Sequence, residues 1–241
     1  MSWKRHIPNA VTSMNLLCGV FGVIAALEAR FDWAFYWMLA GAVFDFFDGL
    51  AARALKVSSP VGKELDSLSD VVTFGVLPAV MLYKMMRLCT FGESVWCYVP
   101  LLIAVCSALR LAKFNLDERQ GHSFLGLPTP ACAMVCGSLC YFLAHDIRTF
   151  LPAWASGYVF IPVLSVVLSA LLVSEIPMFS MKFSREDDRL VVGKRIAFAV
   201  NVLLCVGIVW SLGLNWSLAV LLSFLVYILM NVAFALLRIS D

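Results

Sequence analysis

The sequence predicts an all-α polytopic membrane protein. Three observations predict it. Hydrophobic residues make up 62% of the chain and charged residues only 14%, whereas a soluble domain is about a quarter charged, and the mean hydropathy is +0.90. The apolar residues gather into about eight runs near the length of about 20 residues that a bilayer asks of a helix. The basic residues are distributed very unevenly between those runs.

The runs cover roughly 8–28, 33–55, 65–87, 94–115, 128–145, 157–175, 195–213 and 215–237. The first follows Trp3, Lys4 and Arg5 and superficially resembles a secretory signal. It is too long for a signal's apolar core and carries Asn9, Thr12 and Asn15, so it reads as a retained helix. The second and third carry the chain's densest acidic cluster. The fourth ends on Arg110, Lys113 and Asn115. Pro and Gly punctuate the remainder, at Pro60, Gly126–Pro130 and Pro152. Residues 178–194, which include Phe183-Ser184-Arg185-Glu186-Asp187-Asp188-Arg189, read as a short cytoplasmic loop with an interfacial segment. There is no separate soluble domain, internal repeat or nucleotide-binding glycine loop, and no basic-aromatic surface for nucleic acid.

Alternating the connections between the two membrane faces leaves only Arg30, Lys84, Arg87 and Arg148 on one side. The other fourteen of the 18 basic residues fall on the opposite side. Basic connections stay in the cytoplasm, so both termini and the hairpin between the second and third spans are expected there. A compact chain without a targeting extension fits a prokaryotic inner membrane. The 8 cysteines suggest no disulfide framework, which belongs to small secreted chains. Cys132, Cys136 and Cys140 form a stripe at four-residue spacing. It reads as apolar packing, because His145 is turned off that face.

The centre of the chain is Asp45 to Asp70. Asp45 and Asp48 are three apart, Asp66 and Asp70 four apart, so each pair shares one helix face. A turn marked by Ser58, Ser59 and Pro60 makes a hairpin on which the four carboxylates converge. An ionised Asp deep in a membrane helix costs on the order of 3 kcal/mol, and four together also repel. Two divalent cations answer both costs. Oxygen ligands without His or Cys favour Mg²⁺ or Mn²⁺, and two such ions can clamp a phosphate. Gly49 and Ala52 fit either a ligand lying against the backbone or a close helix contact, and Gly62 permits close approach. Arg53 fits either a positive-inside anchor or a partner for an aspartate or phosphate.

Asp45-x2-Asp48-Gly49-x2-Ala52-Arg53-x8-Gly62-x3-Asp66-x3-Asp70 resembles, at every position, the signature of the CDP-alcohol phosphatidyltransferase family. The resemblance implies a core of six membrane helices, here to about residue 195, with additional helices over about 195–238 of a single domain 1–241. It implies transfer of the phosphate-bearing group of a CDP-alcohol to an acceptor alcohol with release of CMP, and a homodimer. Asp45, Asp48, Asp66 and Asp70 are its expected ligands for two ions, and Asp70 its general base, beside the catalytic Asp66. Within the family, Pro8-Asn9-x2-Thr12-x2-Asn15-Leu16-x2-Gly19, Leu109–Asn115, Phe124–Ala131 and Ser174–Lys182 resemble the bacterial and archaeal phosphatidylserine synthases. That subgroup joins CDP-diacylglycerol to L-serine by direct in-line attack.

The lipid nucleotide is then expected at Asn9, Thr12, Gly49, Ala52, Arg53 and Gly62, although Asn9 and Thr12 equally suit capping and packing of the first helix. The serine carboxylate is expected at Arg110, Lys113 and Asn115; without the resemblance the two cations read as ordinary cytoplasmic anchors. His122 reads as a loop residue. A same-family enzyme taking glycerol 3-phosphate or an inositol phosphate is the alternative, because the Lys182–Arg195 loop adds positive charge. A divalent-cation transporter is the remote one.

Overall fold

The first helix, α1 (His6–Leu27), has a polarity suited to lipid. Its buried stripe is made of small or polar residues, among them Thr12, Asn15, Gly19, Gly22 and Ala26. Its outward face carries Met14, Leu17, Phe21 and Ile24. Lipid tails are as apolar as leucine, so membrane helices associate through small residues that admit a neighbouring backbone and polar ones that bond across. The computed structural model describes residues 6–57, 59–90, 94–116, 124–146, 158–179 and 189–237. The expectations placed on Lys4, Arg5, Ser58, Arg119, His122, Arg148, Pro152 and the stretch from Ser180 to Asp188 lie outside the described residues.

Eight helical rods occupy the eight expected spans among the described residues. After α1 come α2 (Phe31–Leu55), α3 (Pro60–Cys89), α4 (Val95–Leu116), α5 (Thr129–His145), α6 (Phe160–Val173), α7 (Arg189–Ser211) and α8 (Trp216–Leu236). Of these, α1, α3, α4, α7 and α8 are long and apolar enough to cross a membrane. The 25-residue α2 is also long enough, but it carries Asp32, Asp45, Asp48 and Arg53. The shorter α5 is buried along most of its length, so packing rather than lipid sets its extent. It lies between α2, α3 and α8, while α1 runs along α2 and α4 packs on α6. The outermost rod is α7, with only 11% of its apolar window buried.

The turn between α2 and α3 follows from capping chemistry. Lys56 ends α2 in the left-handed region (φ 52). Ser59 caps α3, its Oγ accepting from the Gly62 amide at 3.0 Å, and Pro60 takes the first helical position. The rod therefore begins five residues before its expected start at 65, because the Ser-Pro signal outweighs the polarity of Lys63 and Glu64. Gly62 lies inside the first turn, where a Cβ would come within 2.8 Å of Asn9 Oδ1.

Midway along α3, Val71–Val76 forms a π turn, a feature that concentrates at functional sites. Thr73 fills a slot in α1 and α2: a Cβ at Gly19 would lie 2.5 Å from its Oγ1, and one at Gly41 2.5 Å from its Cγ2. The Thr73 hydroxyl donates to the Asn15 carbonyl at 3.0 Å. Gly41→Val is expected to overpack this slot and cost about 1–3 kcal/mol, lowering Tm in detergent; an unchanged Tm would show that the slot yields.

Two short strands strap the loops at one end. β1 (Phe124–Leu125) pairs antiparallel with β2 (Pro177–Met178). Gly126, at φ +76, packs where a Cβ would meet the Leu172 and Ser174 carbonyls at 2.7 Å. Helix α8 holds the following residue: Asn231 Oδ1 accepts from the Phe179 amide at 3.0 Å, and the Tyr227 hydroxyl donates to the Phe179 carbonyl at 3.1 Å.

Candidate metal centre and acceptor pocket

The carboxylates face one another because α2 and α3 are joined by so short a turn. One oxygen from each of Asp45, Asp48 and Asp66 lies within 4.8 Å of the others. Asp48 is buried, and its Oδ2 has no hydrogen-bond partner among the described residues. The Thr12 hydroxyl, which donates to the Pro8 carbonyl at 3.0 Å, lies beside Asp48. Asp70 stands outside this trio, one turn further along α3. Its foremost charged neighbours are Asp45 and then Asp66. The Asn15 side-chain amide on α1 donates to Asp70 Oδ1 at 3.2 Å.

Such a cluster needs positive charge. Two carboxylates about 4 Å apart repel by roughly 4 kcal/mol at an effective dielectric constant near 20, and desolvation adds to that. The donor set suits a hard cation: all oxygen, with the buried Asp48 Oδ2 accepting no hydrogen bond among the described residues. Asp45, Asp48 and Asp66 would hold such an ion between α2 and α3. Among the described residues it is the one group of His, Cys, Asp or Glu side chains arranged to hold a metal. Cys132, Cys136 and Cys140 are instead buried free thiols of the core, and His145 Nδ1 bonds the Tyr141 carbonyl at 2.9 Å.

Beside the carboxylates opens a cleft of about 210 Å³ lined by Asn9, Thr12, Asp48, Gly49, Ala52, Gly62 and Asp66, with Pro8, Val57, Ser59 and Lys63. Five of the six residues expected to contact the lipid nucleotide therefore share one wall. The sixth, Arg53, is exposed, its guanidinium 3.6 Å from where a Gly49 Cβ would sit. A Gly49 side chain would meet no neighbouring helix. Its smallness leaves room in the cleft, whereas that of Gly62 lets α1 and α3 touch.

The expected acceptor residues separate. Arg110 is buried, with Tyr227 of α8 and Asp70 among its electrostatic neighbours. Lys113 is exposed. The Asn115 side-chain amide donates to Ser67 Oγ at 2.9 Å, and the Asn115 backbone carbonyl accepts from Lys63 Nζ at 3.4 Å. Asn115 thus ties the end of α4 to α3. In the sequence Asn15 stands out only as part of the first-helix motif, and Tyr227 in no motif. Asn15 carried a signal, lying three residues beyond Thr12 on the same face.

A family model described as CDP-alcohol phosphatidyltransferase matches residues 5–171. Three relatives carry the name CDP-diacylglycerol–serine O-phosphatidyltransferase. The Bacillus subtilis protein is 35% identical over 130 residues, 54% of this chain and 72% of its own. The Mycobacterium tuberculosis protein is 37% identical over 185 residues, 73% of this chain but only 61% of its own. The Methanocaldococcus jannaschii protein is 28% identical over 198 residues, 82% of each.

Proposed function

The chain belongs to the CDP-alcohol phosphatidyltransferase family, and we propose that it transfers the phosphatidyl group of CDP-diacylglycerol to L-serine, giving phosphatidylserine and CMP. The observation that carries this reading is the convergence of the Asp45, Asp48 and Asp66 carboxylates, two of which, Asp48 and Asp66, line a cleft, with buried Arg110 in electrostatic range of Asp70. The relatives' names supply the acceptor.

In this reading Asp45, Asp48, Asp66 and Asp70 hold two divalent ions, Mg²⁺ or Mn²⁺. When bound, they neutralise the carboxylates, polarise the pyrophosphate and stabilise the departing CMP. Asn9, Thr12, Gly49, Ala52 and Gly62 seat the nucleotide, with Arg53 at its edge, and the acyl chains stay in the bilayer. Arg110 offers its guanidinium fork to the serine carboxylate, and Lys113 and Asn115 border the acceptor's path. Asp70 takes the proton of the serine hydroxyl, for which it must lie within hydrogen-bond reach or one water away. The serine oxygen bonds to the phosphorus that carries diacylglycerol. The bond from that phosphorus to the oxygen it shares with CMP breaks, and the electron pair leaves with CMP.

The reading places one domain, 1–241, in the cytoplasmic membrane as a homodimer, with the core to about 195 and the site toward the cytoplasm. The basic asymmetry supports that orientation, and cross-linking with protease accessibility in inverted vesicles checks both.

CMP release by purified protein with CDP-diacylglycerol is expected to require L-serine, to stop with EDTA, and to return with Mn²⁺ or Mg²⁺. Release that persists in EDTA would refute the metal assignment. Release with glycerol 3-phosphate or an inositol phosphate but not serine would keep the family and overturn the acceptor.

A further inference from the structure

We infer that Asn15 positions Asp70 for the transfer step, holding one carboxylate oxygen from the facing helix and leaving the other for the acceptor hydroxyl. The inference rests on the reading of Asp70 as the base.

Asn15 is completely buried in the membrane-spanning part of α1. An amide there is costly unless its polar atoms are bonded. Nδ2 reaches Asp70 Oδ1 at 3.2 Å across 55 residues of sequence, while Oδ1 is buried with no partner among the described residues. An ionised carboxylate only accepts hydrogen bonds, so the amide must turn its nitrogen toward Asp70. That choice leaves Oδ1 facing Gly41, where a Cβ would come within 3.0 Å of it. A side chain kept only for packing would avoid a stranded oxygen; one kept to orient Asp70 cannot.

The surroundings hold the contact rigidly. The Asn15 carbonyl accepts from Thr73, three residues beyond Asp70 and inside the π turn. Thr73 is gripped between Gly19 and Gly41. Side chain and backbone of one α1 residue thus hold α3 at Asp70 and again three residues further on. The Ser69 hydroxyl adds a weaker tie to the Thr12 carbonyl at 3.3 Å. Orientation matters here because a misplacement of about 1 Å can cost about 100-fold in rate.

The test compares Asn15→Ala, the near-isosteric Asn15→Leu, Asp70→Asn and the Asn15→Ala/Asp70→Asn double variant. All are checked for monodisperse elution and read by CMP release at excess enzyme so that slow variants are measurable. Each Asn15 variant is expected to lose about 10- to 100-fold in kcat. KM for serine and for CDP-diacylglycerol should change less than about twofold, and Mn²⁺ binding by electron paramagnetic resonance should be retained. In the Asp70→Asn background, Asn15→Ala should cost nothing further, because it acts through that carboxylate. Wild-type kcat in either Asn15 variant, a full multiplicative loss in the double variant, or lost Mn²⁺ binding would overturn the inference while leaving the base assignment standing. Wild-type turnover of Asp70→Asn would overturn the base assignment itself.

Discussion

Asp48→Asn is expected to lower kcat by about 1,000-fold or more, which corresponds to about 4 kcal/mol of lost transition-state stabilisation. The change preserves shape and removes one charge at the most buried member of the trio, where Oδ2 has no hydrogen-bond partner among the described residues. The effect on stability should reverse sign with metal. Without ions, the variant loses a like-charge repulsion worth several kcal/mol and should melt above the wild type. With saturating Mn²⁺, the wild type gains RT ln(1 + [L]/Kd) and should overtake it. Thermal unfolding of both proteins with EDTA and with Mn²⁺ reads this crossing directly. Curves that keep the same order in both conditions would mean that Asp48 holds no ion.

Arg110→Gln is expected to act on the acceptor alone. A buried charge that loses its partner costs about 2–5 kcal/mol, so kcat/KM for serine should fall by about 30- to 5,000-fold. Affinity for CDP-diacylglycerol should hold, because the cleft that receives the nucleotide is lined from α1, α2 and α3, not from α4. Arg110→Lys should recover little, since an ammonium cannot offer a carboxylate two parallel donors. Lys113→Gln should be much milder, because Lys113 is exposed and solvent screens its charge. Equal losses for the two glutamine variants would mean that burial does not mark the acceptor site.

Much of this architecture was legible because lipid imposes strong rules. Apolar runs mark rods, and the spacing of Asp45, Asp48, Asp66 and Asp70 places four carboxylates on two facing helices whatever the finer packing. What escaped were features without a period. The start of α3 at Pro60 was set by a cap rather than by hydropathy. The π turn has no composition of its own, and a slot such as the one around Thr73 exists only once three helices meet. Pairing of Leu125 with Pro177 joins stretches 52 residues apart through two-residue strands, too short to alternate. The acceptor residues divided for a similar reason. Arg110, Lys113 and Asn115 fall within two turns of one helix, but only the packing of α3 and α8 makes the first buried, the second exposed and the third a tie to Ser67.

The acidic site is proposed to join a lipid phosphate to serine. The most direct measurement is the fate of isotopically labelled L-serine incubated with purified protein, CDP-diacylglycerol and Mn²⁺. Label is expected in an organic-extractable lipid of the mass of phosphatidylserine, formed mole for mole with CMP and lost in Asp48→Asn. Label that stays in the aqueous phase while glycerol 3-phosphate or inositol phosphate enters lipid would contradict the proposal.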